Sequence, residues 1–306
     1  MSSLSATRTT TPTARPLWLA DLPVLLAALF WGASFLAAKG VTTGATVLAV
    51  LVLRFGLVLP VLLIVGRRGL RALRPAQLRT AALLGLVLAV IFVLETYGVV
   101  HTSATNAGLI ISLTMILTPL AESALRRTVP SPAFLAAALL SVLGVALLTQ
   151  SGGFTAPGLG DLLILAAACA RTVHVLLMSR ATSLRGADDL SLTTVQLGTS
   201  LLLFTALFAV PGAGLAPWTA AAAFDAADWA GLVFLSLCCT LYAFFVQMWA
   251  VRRTSASRVS LLMGTEPLFA AAVGLTLAGD EVGPLGILGA VLVLLGTAWG
   301  RRAAAS

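Results

Sequence analysis

Residues 80–124 read TAALLGLVLAVIFVLETYGVVHTSATNAGLIISLTMILTPLAESA, two apolar runs joined by one polar break, HTSATN at 101–106. A bilayer crossing takes about 20 mainly apolar residues, so each run is a candidate span and the break is a tight reversal. Working outward from this hairpin, similar segments lie at 22–41, 45–66, 133–150, 159–179, 190–210, 229–250, 256–278 and 283–300. The two runs of the hairpin itself are bounded at 80–99 and 104–124. The chain is 59% hydrophobic and only 10% charged, with mean hydropathy +1.03, against about 25% charged residues in soluble domains. The expected fold class is therefore all-α and integral to a membrane, with ten transmembrane helices.

The net charge of +8 does not form the patch that nucleic acid requires. The arginines fall in short clusters between apolar runs: Arg8 and Arg15; Arg67, Arg68, Arg71, Arg74 and Arg79; Arg126 and Arg127; Arg180 and Arg185; Arg252, Arg253 and Arg258; Arg301 and Arg302. With ten spans these all lie on one side, and basic loops stay in the cytoplasm. Both termini are then cytoplasmic, the membrane is the inner (plasma) membrane, and residues 1–20 form a disordered tail. Asp161, Asp225, Asp228, Asp280 and Glu281 fall in the outer loops. Cys169, Cys238 and Cys239 sit in apolar runs, without disulfide or zinc spacing, and are expected as buried thiols.

The chain also repeats itself. At an offset of 152, Thr102-Ser103-Ala104 falls on Thr254-Ser255-Ala256 and Leu143-Gly144 on Leu295-Gly296. The units are residues 21–150 and 154–302, five helices each, and an odd number of spans makes the second copy enter the membrane inverted. Secondary transporters of this kind bind substrate between the repeats near the midplane. Gly85, Gly108, Gly144, Gly264, Gly274, Gly289 and Gly296 are expected to let helices pack closely.

Charges inside spans are costly and mark function. Arg54, Arg171 and Glu266 fall near mid-span and Glu95 toward the outer end of the third helix, while Glu122 can reach Arg126 near the cytoplasmic interface. Two readings stand. Arg54 with Glu95 and Arg171 with Glu266 form helix-joining ion pairs, or some of these groups meet a charged or zwitterionic substrate. On the second reading Arg171 takes a substrate carboxylate with its planar fork. His174, three residues on, shares its face and is either a proton relay or a packing residue. The offset pairs Glu95 with Gln247 and Tyr97 with Trp249, a polar-x-aromatic pattern that adds all four to the candidate substrate-binding residues. Trp31, mid-span in the first helix, and Asn106, in the polar break, complete the set. Pro119 and Pro267 each free a helix carbonyl, so breaks are expected near them.

Phe30-Trp31-Gly32-Ala33-Ser34-Phe35 with Lys39, Thr102 to Ala107 leading to Thr118-Pro119-Leu120, Gly160-Asp161, Thr254 to Ser257, Glu266-Pro267-Leu268-Phe269-Ala270, Gly279-Asp280-Glu281, and Gly286, Gly289 and Gly296 together resemble the EamA-type members of the drug/metabolite transporter superfamily, from about residue 22 to 300. The sequence departs from the family's pattern at Arg126-Arg127-Thr128-Val129, where an acidic residue is usual, and at Arg171 and His174, where small or aromatic residues are. Ser103 to Pro119 spans 16 residues and Ser255 to Pro267 only 12, which reads as one extra turn in the fourth helix. The resemblance implies a secondary active or facilitative transporter that exports amino acids or related small polar metabolites by alternating access. Its partners are a small-molecule substrate, membrane lipid and a proton as candidate coupling ion, with no cofactor, no metal and no nucleic acid, as a monomer or homodimer. Drug efflux and metabolite uptake compete within transport. An intramembrane enzyme or a receptor competes from outside it, but the sequence has no G-x-S-x-G, H-E-x-x-H or G-x-x-x-x-G-K-[ST].

Overall fold

The computed structural model describes residues 18–148, 157–210, 212, 214–253, 262–280 and 282–305, and among these there are helices and no strand. In chain order the α-helices are α1 Trp18–Val41, α2 Val47–Ala72, α3 Pro75–Val100, α4 Ala104–Ile111, α5 Thr114–Arg126, α6 Pro132–Leu148, α7 Leu159–Arg180, α8 Asp189–Phe208, α9 Pro217–Ala223, α10 Ala226–Phe234, α11 Ala243–Arg253, α12 Glu266–Thr276 and α13 Pro284–Ala305. A π-helical stretch, Leu235–Tyr242, joins α10 to α11 without a break. Helix α1 starts three residues inside the segment expected as tail. Residues 1–17, the 149–156 junction, the Thr254–Arg258 motif and Glu281 lie outside the described residues.

Among the described residues seven helical stretches are long and apolar enough to cross a membrane, α4 and α5 counting as one and α10 through Gln247 as another. Three shorter apolar helices, Pro132–Leu147, Glu266–Thr276 and Pro284–Gly300, accompany them. Large apolar side chains face outward along them, among them Ile64, Val65, Leu83, Leu139, Leu202 and Leu295. So broad an apolar exterior is the surface that lipid covers. Cys169 also faces outward on α7, contrary to its expected burial, and Cys239 alone of the three thiols is buried.

The two halves meet through their equivalent helices. A Cβ placed on Gly144 of α6 lands 2.6 Å from the backbone N of Val293 and 2.8 Å from the carbonyl of Gly289 on α13. A Cβ on Gly296 of α13 meets the N of Ser141 at 2.8 Å and the carbonyl of Ala137 at 2.9 Å on α6. Each residue maps onto its counterpart at the offset of 152 (144 to 296, 137 to 289, 141 to 293), so the contact is reciprocal, as a two-fold relation requires. Position 144 lies opposite 289–293 and position 296 opposite 137–141, so the paired helices run antiparallel. The fourth and ninth segments also approach closely and antiparallel, Gly108 meeting Ala270 and Gly274 meeting Thr105, though the offset does not exchange these two contacts. Around these axial pairs, α3 packs on α7 as α1 packs on the α10–α11 run.

Both expected helix breaks occur, also at one offset. Turns at Ser112–Leu113 and at Gly264–Thr265 precede α5 and α12. Through the first turn the bonds tighten to three-residue spacing, Leu113 N–Ile110 O at 3.0 Å, Met115 N–Ser112 O at 3.0 Å and Ile116 N–Leu113 O at 2.9 Å. The offset of 152 holds both before the prolines, at these turns, and after them, at Gly144 and Gly296. The extra turn expected in the fourth helix is therefore absent. Pro119 and Pro267 simply stand at different distances beyond the same break, and Pro267 occupies the first turn of α12, where its missing N–H costs nothing.

Adding a methyl at Gly144 or Gly296 forces two helix backbones apart. Gly144→Ala and Gly296→Ala should each cost about 1–3 kcal/mol of overpacking, while Gly56→Ala, which opens onto free space, should cost none. Thermal midpoints of the purified variants, followed by size-exclusion chromatography, test this; equal midpoints for all three would contradict the tight crossing.

Candidate functional site

Four elements converge at the centre of the bundle. The Arg171 guanidinium on α7 donates through Nη2 to Glu95 Oε2 on α3 at 3.0 Å, and its Nη1 stands 3.8 Å from Glu266 Oε1 on α12. One planar fork thus ties two helices through separate nitrogens, the geometry for which arginine is suited and lysine is not. The Trp31 ring of α1 lies under it, 5.9 Å from the Arg171 Cζ. Glu266 is buried and is the first residue of α12, where the helix dipole favours an anion.

Arg54 behaves differently. It is 7% exposed, yet no carboxylate among the described residues lies within 4.0 Å of it. Its Nε donates to Thr240 Oγ1 at 2.8 Å, and its Cζ sits 4.9 Å from the centre of the Phe92 ring, a cation–π contact that offsets part of the burial cost. The expected Arg54–Glu95 pairing is not formed; Glu95 goes to Arg171 instead.

The π-helical stretch sets both contacts on its side of the site. Thr240 Oγ1 donates to the carbonyl of Leu235, five residues back, at 2.9 Å, and so presents its lone pairs to Arg54. One residue earlier, the Cys239 carbonyl accepts from Trp31 Nε1 at 2.8 Å. The wider π turn aims these adjacent groups at α2 and α1, and such turns recur at functional sites.

Two spaces lie near the Arg54–Thr240 contact, one lined by Thr240 and the other by Arg54. A cavity of about 420 Å³ is lined by Leu62 of α2, by Asp188 to Leu190, Thr193 and Leu197 around α8, and by Thr240, Leu241, Phe245 and Trp249. A chamber of about 10 Å³, room for one water, is lined by Ser34, Phe35, Ala38, Arg54, Glu95, Thr96 and Val99. At the far end of the bundle the α4 N-terminus is tied shut. Ser103 Oγ accepts from Asn106 N at 3.0 Å and Asp280 Oδ2 from Thr105 N at 2.9 Å. Asp161 accepts from Thr102 Oγ1 at 2.6 Å, from Asn106 Nδ2 at 3.4 Å and from Gly158 N at 3.0 Å.

Of the residues singled out in the sequence, Arg171, Glu95, Glu266 and Trp31 come together, with Arg54 one chamber away. Trp249 lines the larger cavity, and Tyr97 packs beside the Phe55–Phe92 cluster. His174 Nε2 lies 3.0 Å from Gln196 Oε1 on α8 and is buried there. Asn106 belongs to the sealed end, and Gln247 is half-buried on α11. Glu122 reaches Arg126 at 2.6 Å on the exposed end of α5. The sequence reading passed over Thr240, Phe92 and Gln196; the one signal for Thr240 was a hydroxyl within the apolar run LSLCCTLY.

The EamA-like transporter family profile matches residues 18–150 and again 158–299. The chain belongs to the EamA-like transporter family. It is a multi-pass membrane protein of the transporter class, with the family's unit present twice. A solved crystal structure of another protein shares the fold seen here, with a TM-score of 0.59 and 21% identity over 92% of this chain and 96% of that one. No curated protein matches the sequence.

Removing Arg171 leaves Glu95 and Glu266 unpaired together, whereas removing Glu266 breaks only the longer contact. Arg171→Gln should cost about 3–5 kcal/mol of stability, the range for breaking a buried pair, and Glu266→Gln clearly less. Membrane yield and thermal midpoint of the two variants, with Arg171→Lys beside them, check the order; Arg171→Lys at wild-type stability would contradict the two-nitrogen bridge.

Proposed function

We propose that this protein is a secondary transporter that exports amino acids or related small polar metabolites across the inner membrane by alternating access. On this reading it has ten spans, and its two five-helix repeats are related by an axis in the membrane plane. The antiparallel contact between the equivalent helices α6 and α13 supports the inversion, because a two-fold that reverses a membrane-crossing helix lies across it. The observation that carries the transport reading is the asymmetry about the central charges. The chain is tied shut at the Asp161–Asp280 end, whereas the cavity of about 420 Å³ runs from Asp188 to the Arg54 partner Thr240.

The Asp188–Leu190 end of the cavity follows Arg185 in the chain and lies against Gly69, beside Arg67 and Arg68, the side that the positive-inside rule assigns to the cytoplasm. The described conformation is then the inward-facing one, loaded from the cytoplasm. Alternating access requires the Asp161 and Asp280 ties to release as the cavity closes. The broken helices at Ser112–Leu113 and Gly264–Thr265 supply hinges in both repeats.

Purified protein in proteoliposomes, assayed with labelled amino acids with and without a pH gradient, tests the proposal. Saturable flux of at least one amino acid, abolished by Glu95→Gln, is expected. No flux above empty vesicles for any of the twenty would sink it. External labelling of a cysteine placed at residues 70–76, with none at Gly158 or Pro217, would sink the orientation.

A further inference from the structure

Arg54 is a buried cation with no carboxylate in bonding contact among the described residues. Arg171 is already shared between two carboxylates, but Arg54 spends only its Nε, on a neutral hydroxyl, and its Nη1 and Nη2 find no acceptor among the described residues. Burying a guanidinium this way is costly unless an anion arrives to complete it. Glu95 lines the same chamber as Arg54 and gives only Oε2 to Arg171, leaving Oε1 for a donor. A bare anion entering here meets a carboxylate, and a bare cation meets Arg54. A molecule carrying both charges satisfies both groups.

We infer that Arg54 and Glu95 form a clamp for a zwitterion, with Arg54 taking the free carboxylate of an α-amino acid and Glu95 its ammonium. This rests on the transport reading above and assigns the carboxylate to Arg54 rather than to Arg171, which instead positions Glu95. Thr240 is the resting partner that the substrate displaces. It lines the larger cavity and bonds Arg54, so it stands where a carboxylate entering from that cavity reaches the guanidinium. The chamber holds about one water's volume in this conformation, so binding must widen it by drawing Arg54 off Thr240. The apolar wall of Leu62, Leu197, Leu241 and Phe245 is left to the substrate's remaining atoms.

The test is calorimetric titration of the purified full-length protein with the twenty amino acids, then with the amide and the N-acetyl derivative of the tightest binder. Each derivative removes one charge, and each should bind at least about 30-fold more weakly, the scale of losing one buried charge-assisted contact. In Arg54→Gln the acid should lose its advantage over the amide, while retained amide binding shows that the variant is folded. Should Arg54→Gln fail to fold, Thr240→Val decides. Removing the internal competitor should tighten amino-acid binding about 2- to 10-fold, the scale of one neutral hydrogen bond. Unchanged or weaker binding in Thr240→Val, an acid-to-amide ratio untouched by Arg54→Gln, or no amino-acid binding at all would each overturn the clamp. Binding that obeys the clamp without any flux in vesicles would leave the clamp standing and remove the transporter reading instead.

Discussion

Two carboxylates from different helices share the guanidinium of Arg171, and much of the molecule's centre is arranged around that fact. Glu95 comes from α3 and Glu266 from the first turn of α12, while Trp31 of α1 lies against the guanidinium face. In a bilayer there is little hydrophobic force to draw helices together, so polar ties and close backbone approach must do it. The Arg171 bridge is the polar tie. The reciprocal crossing of α6 and α13 at Gly144 and Gly296 is the close approach. One gathers helices around the buried charges, and the other joins the two repeats along their shared axis.

This division explains why the two arginines differ although both sit mid-bundle in apolar helices. Arg171 is neutralised by groups that arrive from both repeats, so it joins the halves. Arg54 is served by a hydroxyl and an aromatic face, neither of which cancels its charge. A protein that must bind and release a charged solute benefits from that arrangement. In the proposed transport cycle the structural pair would keep its shape, while the other cation is held by contacts weak enough to exchange.

Helix type and the repeat were plain in the sequence because both depend on local pattern. Apolar runs between arginine clusters gave the helices, and the offset that aligned Leu143-Gly144 with Leu295-Gly296 also aligns the contacts those glycines make. The candidate charges Glu95, Arg171 and Glu266 were visible because ionisable residues are rare in such runs. Their partners were not. Charge alone is symmetric between Arg54 and Arg171 as mates for Glu95, and the choice depends on how α7 is rotated against α3, which no single-helix pattern encodes. His174 was legible as a polar residue on the Arg171 side of α7, but its bond to Gln196 depends on α8, distant in sequence. The supposed extra turn failed for a similar reason: spacing between prolines is not spacing between equivalent residues when each proline stands differently past a shared break.

The π-helical stretch also sets the length of its helix against its counterpart in the first repeat. Helix α3 begins at N-cap Arg74, whose N–H meets the Gln77 side chain at 2.8 Å, and α10 begins at N-cap Asp225, whose N–H meets the Asp228 side chain at 3.2 Å. These matching starts are offset by 151, while the breaks and glycine crossings that follow in the chain are offset by 152. Between these starts and the breaks the second copy therefore carries one residue more than the first, and Leu235–Tyr242 is where a helix absorbs one extra residue, as a π turn. Helix α3 and the matching α10–α11 run are thus made unequal by one amino acid, placed where Thr240 and the Cys239 carbonyl reach α2 and α1. Deleting one residue there would return the helix to ordinary winding and rotate the chain on one side of it by about 100° relative to the other, turning Thr240 and the Cys239 carbonyl away from Arg54 and Trp31.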